Sequence, residues 1–296
     1  MGLVATVAEE LPREDETTAQ RVLRIVAKAP VHIILVIIGV LWLVPTLGLF
    51  FTSLLSPERF NESGWWQILS EPSLATLNNY DKVFNTEAIT SSLWTTVLVS
   101  LGGTILPIFV AAMAAYAFAW LDFPGRDWLF ILVIAMLVVP IQMALIPIFS
   151  LYSDLGLFDT VIGLILFHTA FGLPFAIFLL RNFFIGIPRD LMEAARIDGA
   201  SEIRIFLRLM LPLALPAIAS LAIFQFLWTW NDLLVALTFG RETQPITVAI
   251  FTQLRQFGSN IELIAPAAFV SLAIPLAVFF AFQRYFVEGL LAGSVK

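Results

Sequence analysis

The sequence predicts an all-α integral membrane protein with six membrane-spanning helices and both termini in the cytosol. Three observations carry this expectation. The 296 residues are 59% hydrophobic and only 13% charged, about half the charged fraction of an ordinary soluble domain. The charges are also segregated, leaving charge-free runs at 29–57, 88–121, 128–153, 160–180, 209–231 and 263–283, each at least 21 residues long. A helix needs about 20 apolar residues to cross the hydrocarbon core. Finally, threading the six runs from a cytosolic N-terminus puts twelve Lys and Arg on the inner side and four on the outer side (Arg59, Lys82, Arg241 and Arg255). Basic residues stay in the cytosol, so that asymmetry sets the orientation. The net charge of −6 says little here, because acidic residues contribute little to topology.

In lipid every backbone group must be paired within its own segment, which makes each run a helix. The next longest charge-free run, 243–254, has 12 residues and is too short to span. Residues 1–30 form a cytosolic N-terminal segment. Its first 20 residues carry Glu9, Glu10, Glu14, Asp15 and Glu16 and read as disordered. They lack the basic start of a secretory signal, so the first span is expected to remain as an uncleaved anchor. With no cysteine, disulfides and thiolate metal sites are excluded.

The transmembrane domain covers 31–285. Span 1, about 31–53, contains Pro45, which should kink it. An outer loop follows, with Trp65, Trp66 and the polar stretch Asn78-Asn79-Tyr80-Asp81. Span 2, about 93–119, carries Ala111, Ala115 and Ala119 four apart. That spacing suits close helix approach in lipid, and equally an alanine-rich helix with no special partner. Trp120 and Trp128 bracket a tight inner turn, where interfacial rings belong.

Span 3, about 129–150, holds Pro140, Gln142 and Pro147; span 4, about 160–183, holds His168 and Pro174. A long inner loop, 184–209, leads to span 5 at about 210–231. In the next outer loop Ile246, Ile250, Leu254 and Phe257 share one helical face. Span 6, about 263–284, ends in a cytosolic tail, 286–296.

The inner loop carries the most specific pattern. It reads Ile187-Pro188-Arg189-Asp190-Leu191-Met192-Glu193-Ala194-Ala195-Arg196-Ile197-Asp198-Gly199-Ala200-Ser201 and runs on to Leu211-Pro212. Pro188 or Asp190 can open a helix, and Gly199 can close it in a left-handed cap. Ser201 can then start a second short helix through Arg208 that stops before Pro212. Leu191, Ala194, Ala195 and Asp198 fall on one face of the first helix and offer a small-residue surface to a partner. Four arginines are matched by Asp190, Glu193, Asp198 and Glu202, a balance suited to docking against another protein.

Glu193-Ala194-Ala195, then Gly199, then Leu209-Met210-Leu211-Pro212 resembles the signature of the inner-membrane permeases of binding-protein-dependent ABC importers, with Leu209 where the family carries Ile. Leu155-Gly156-Leu157-Phe158-Asp159-Thr160, Phe178-Leu179-Leu180-Arg181-Asn182-Phe183-Phe184, Trp230-Asn231-Asp232 and Gly289-Leu290-Leu291-Ala292-Gly293 look like the sugar branch, and the chain is similar to the second permease of maltose-type and α-glucoside-type importers. The resemblance implies a type I ABC importer permease fold in the bacterial inner membrane. It implies an ATPase-coupling loop containing Glu193, Ala194, Ala195, Asp198, Gly199 and Ala200. It also implies a homologous permease partner, two cytosolic ATPase subunits that hold ATP and Mg, and an external sugar-binding protein. No cofactor or nucleic acid is expected on this chain. The mechanism it implies is alternating access: closure of the ATPases moves the loop, and the bundles rock so that a central cavity opens outward.

Several positions carry two readings. Trp230, Asn231 and Asp232, at the outer end of span 5, suit an interfacial anchor or a gate that meets sugar. Phe224, Phe226 and Trp228 suit stacking on pyranose rings or, among 27 Phe, plain packing. His168 and Gln142 lie mid-span, where polar residues are often functional but also bond between helices.

Rival functions fare less well. An ion-coupled transporter needs ionisable groups within the bilayer, and the six runs contain no Asp, Glu, Lys or Arg. A membrane enzyme needs a clustered nucleophile, acid–base pair or metal ligands. No Gly-x-x-x-x-Gly-Lys-Ser/Thr loop is present, so the energy must be borrowed. An ABC permease for a solute other than sugar remains the nearest alternative.

Overall fold

The computed structural model describes residues 18–60, 64–257 and 260–292. Among these residues the chain is helical, with one isolated bridge, Leu55 to Ala75, in the outer loop. Four helices are long and apolar enough to cross a membrane unbroken, with spanning segments Ala29–Leu54, Glu87–Trp120, Val161–Ile185 and Ile261–Arg284. The other two expected spans are bent pairs. One joins Arg126–Val138 to Ile141–Asp154 at 102°, and the other joins Glu202–Leu213 to Leu215–Trp230 at 73°.

The first helix, α1 (Thr18–Leu54), runs through Pro45 as one element. It begins inside the segment expected to be disordered, so residues 18–20 are helical; residues 1–17 lie outside the described residues. Residues of good helical propensity carry a helix past the end of its apolar stretch. In the outer loop, α2 (Asn78–Asn85) is pinned under the end of α1. Asn79 Nδ2 donates to the carbonyls of Ser53 (3.0 Å) and Leu55 (2.7 Å), and Tyr80 Oη lies 2.6 Å from Ser53 Oγ.

Helix α3 (Glu87–Trp120) forms the axis of the bundle. Ala111 and Ala115 are fully buried in a cluster with Ala176, Ile177 and Leu180 of α6 (Val161–Ile185). The alanine spacing therefore serves close approach, of the two readings it allowed. Between these helices lie α4 (Arg126–Ala135) and α5 (Ile141–Asp154), separated by the break at Pro140. Pro140 has no amide to donate and constrains the residue before it, so the helix stops and restarts there.

The inner loop holds α7 (Arg189–Ile197) and α8 (Glu202–Ile205). Contrary to expectation, the second short helix does not stop before Pro212. It continues through a π-helical stretch, Phe206–Met210, and a turn at Leu211–Leu213 that contains Pro212. Proline is tolerated at the start of a helical turn, where no amide is needed. The 73° bend follows at Ala214, before α9 (Leu215–Trp230).

Beyond α9 come α10 (Leu234–Phe239) and α11 (Ile246–Phe257). Buried Ile246 and half-buried Ile250 of α11 pack on Val83, Ile89 and Ala267, whereas Leu254 of the same expected face is 52% exposed and the Phe257 side chain lies outside the described residues. Helix α12 (Ile261–Ala292) extends seven residues beyond the expected boundary at 285.

Candidate functional site

The inner loop is built by a local rule at its turn and by burial at its base. At the end of α7 the Ala200 amide donates to Ala195 O and the Gly199 amide to Arg196 O, both at 3.0 Å. Gly199 adopts φ 75°. This is the Schellman arrangement, which satisfies the helix's last carbonyls and needs a left-handed residue just past the cap. The backbone thus reverses at Gly199, as the spacing predicts. A Cβ at Gly199 would meet nothing within 4 Å, so the demand for glycine is conformational and not steric.

The buried side chains of Met192 and Ile205 seat the loop. Met192 is 0% exposed, and it shares the main core with Ile205, Met210, Phe184 and Leu180. The loop is therefore continuous with the bundle and does not hang from it. The outward side carries Glu193, Ala194, Asp198 and Gly199, all exposed, with Ala195 and Ala200 half-buried. Ile197 (86% exposed) and Ile203 (72%) flank the reversal.

A polar clasp ties the loop to the end of α3. Tyr116, buried on α3, donates its hydroxyl to Glu202 Oε2. The other carboxylate oxygen receives Arg196 Nε at 2.9 Å. Arg196 also reaches the Trp120 carbonyl at 3.4 Å, and Trp120 Nε1 donates to the Phe184 carbonyl at 3.2 Å. The Glu202 hydrogen bond raises the Arg196 guanidinium above its usual value. One of the four matched pairs in the loop is thus internal. No local pattern points to Tyr116, which stands 86 positions from Glu202.

At the other end of α9 the five candidate pathway residues separate. Trp230 is 1% exposed, and its Nε1 donates to the Ser271 carbonyl on α12 at 2.9 Å. Asp232 caps α10, accepting the amides of Val235 (3.2 Å) and Ala236 (2.9 Å). Its Oδ2 lies 3.7 Å from His168 Nε2, and burial pushes its carboxyl upward, opposed by those amide bonds. Asn231 is exposed and bonds the Leu227 carbonyl at 2.8 Å.

Phe224 and Trp228 (36% exposed) instead face outward. With Phe171, Phe175 and Gln225 they line an open cleft between α6 and α9. Gln225 Nε2 is held by the carbonyls of Gly103 (3.0 Å) and His168 (3.4 Å). Phe226 turns inward onto Trp230, 5.4 Å between rings. His168 is buried edge-on to Trp228 at 5.2 Å. Its Nδ1 and the hydroxyls of Ser100 and Thr229 have no hydrogen-bond partner among the described residues. Gln142, exposed on α5, lies outside both groups.

Residues 103–291 match the family model described as "Binding-protein-dependent transport system inner membrane component". The "Osmoprotective compounds uptake permease protein GgtD" of Synechocystis is 46% identical over 275 residues, covering 91% of this chain and 92% of that protein. The "Alpha-glucoside transport system permease protein AglG" of Rhizobium meliloti is 50% identical over 233 residues, covering 76% of this chain and 61% of that relative. A solved structure of a bacterial ABC transporter involved in importing the acidic polysaccharide alginate superposes with a TM-score of 0.72 at 22% identity. It covers 91% of this chain and 98% of the matched one.

Proposed function

This chain belongs to the binding-protein-dependent transport system inner membrane components, and from that premise we propose that it is one permease subunit of an ATP-driven importer of an α-glucoside or maltose-like sugar. It forms the pathway together with a homologous permease. Two ATPase subunits bind and hydrolyse ATP with Mg on the cytosolic side, and an external binding protein delivers the sugar. Both termini lie in the cytosol.

The observation that carries this reading is the Gly199 reversal, with Glu193, Ala194 and Asp198 exposed on one side and Met192 sunk in the core on the other. A partner's groove receives the exposed side. The seated base passes its movement to the bundle, and the bundle alternates between inward and outward openings. Sugar and binding protein shift that equilibrium only as far as their affinities for the two states differ. The cleft of Phe171, Phe175, Phe224 and Trp228 supplies flat faces for a pyranose ring. Part of the outer loop, 245–260, engages the binding protein.

The name of the Synechocystis relative favours a second reading of the cargo, a compatible solute. The two readings part on one experiment: titration of the cognate external binding protein with α-glucosides and with osmoprotectants. For the coupling role, Gly199→Val should lose both transport and the co-purifying ATPase subunit while inserting normally. Full transport with the ATPase still bound would remove the coupling assignment.

A further inference from the structure

We propose that Tyr116 is a positioning residue for energy coupling: through Glu202 its hydroxyl fixes the cytosolic loop to α3, so that loop movement reaches α3 directly. The inference rests on the coupling-loop reading above and adds a route to it.

Covalent continuity links the loop only to α6 on one side and to α9 on the other. The α9 side is interrupted by the π-helical stretch Phe206–Met210 and the 73° bend at Ala214. Such a stretch and bend interrupt the regular hydrogen-bond ladder that makes a helix a straight rod. A push on α7 and α8 that travelled only along the chain would be absorbed there.

The clasp bypasses that soft point. Glu202 opens α8 and takes the Tyr116 hydroxyl on one oxygen and Arg196 of α7 on the other. Both short helices are thereby tied together at their reversal and held to Tyr116 of α3. The Tyr116 ring also packs on Phe206 at 5.3 Å, and Arg196 reaches the Trp120 carbonyl one turn on. Charge-assisted bonds of this kind are short, directional and stronger than neutral ones. Since α3 packs against α6, α9 and α11, a movement imposed at Tyr116 is shared among several helices.

The test uses the complete transporter with both permeases, the ATPase subunits and the binding protein in lipid vesicles. Tyr116→Phe keeps the ring and removes the hydroxyl. The ATPase subunit should co-purify at the normal level, while ATP hydrolysed per sugar transported rises several-fold. Glu202→Ala should raise the ratio similarly, and the double variant should be no worse than the worse single variant. An unchanged ratio, or hydrolysis and transport falling in proportion, would leave Tyr116 a packing residue and overturn the proposal. So would loss of the ATPase subunit from the Tyr116→Phe complex, or additive effects in the double variant. None of these outcomes touches the coupling-loop reading itself, which stands or falls with Gly199→Val.

Discussion

The carboxylate of Asp159 accepts the backbone amide of Thr243 at 2.8 Å, although 84 positions separate the two residues. The same carboxylate takes the Glu242 amide at 2.9 Å, and the Asp159 carbonyl takes the Thr243 hydroxyl at 2.8 Å. Asp159 holds φ 59° to do this. The turn before α6 is thereby stitched to the segment after α10, a long-range polar tie like the clasp at Glu202.

Asp159→Ala removes the carboxylate and leaves alanine in a left-handed conformation that Asp and Asn tolerate better. We expect a loss of about 2–3 kcal/mol, with faster hydrogen exchange at the amides of 242 and 243. Asp159→Asn keeps one acceptor oxygen and should lose less than half as much. Equal losses in the two variants would show that the amide bonds contribute nothing.

At Gly199 the penalty is one of backbone alone, since an added Cβ meets no neighbour. Valine there should cost about 1–3 kcal/mol, enough to displace the docking face without unfolding the bundle. Asparagine, which enters the left-handed region more easily, should restore much of the ATPase co-purification. Identical behaviour of the valine and asparagine variants would rule out φ as the cause.

Where α3, α6 and α9 meet, a Cβ on Gly172 would lie 2.6 Å from Gln225 Nε2. That amide is buried and held by Gly103 and His168. Gly172→Ala should therefore lower the stability of the purified complex by about 1–3 kcal/mol. Adding Gln225→Ala makes room for the methyl group, so the double variant should be more stable than the sum of the two losses. Strict additivity in thermal unfolding would contradict the contact.

The aromatic residues of α9 should divide by readout. Trp228→Ala and Phe224→Ala remove half-open rings and should slow transport with little change in melting temperature. Trp230→Ala empties a buried site and breaks the bond to Ser271, costing about 3–5 kcal/mol. Unimpaired transport by the Trp228→Ala, Phe224→Ala double variant would remove the sugar-facing role.

Orientation is open to direct chemical test, because the chain has no cysteine. Single cysteines at Glu71 and Arg241, both exposed, should react with an impermeant thiol reagent added to intact cells. One at Asp198 should not. The reverse pattern would invert the topology.

What could be read in advance follows the range of the forces involved. Lipid demands long uncharged stretches, so the spans stand out by length alone. The Gly199 cap is local, with every bond inside six residues, and it too was legible. The pairs Tyr116–Glu202 and Asp159–Thr243 join distant segments, and nothing in either neighbourhood names its partner. Trp228 and Trp230 show a different limit. Two positions along a helix turn a side chain by about 200°, so one faces out when the other faces in. With α9 apolar on all sides, no amphipathic stripe fixed which was which. The proline breaks were half visible: Pro45 leaves α1 as one element, whereas Pro140 separates α4 from α5.

The distribution of contacts along α1 has a mechanical meaning. From Val31 to Val44 its large apolar side chains are exposed, and burial begins only near its outer end. There Phe50 meets Phe269 of α12 at 4.9 Å, and Asn79 grips the carbonyls of Ser53 and Leu55. Such a helix is moored at one end like a mast. Among the described residues, the stretch from Val31 to Val44 buries no large side chain against the other helices, so the mooring at Phe50, Ser53 and Leu55 is where α1 is held to them.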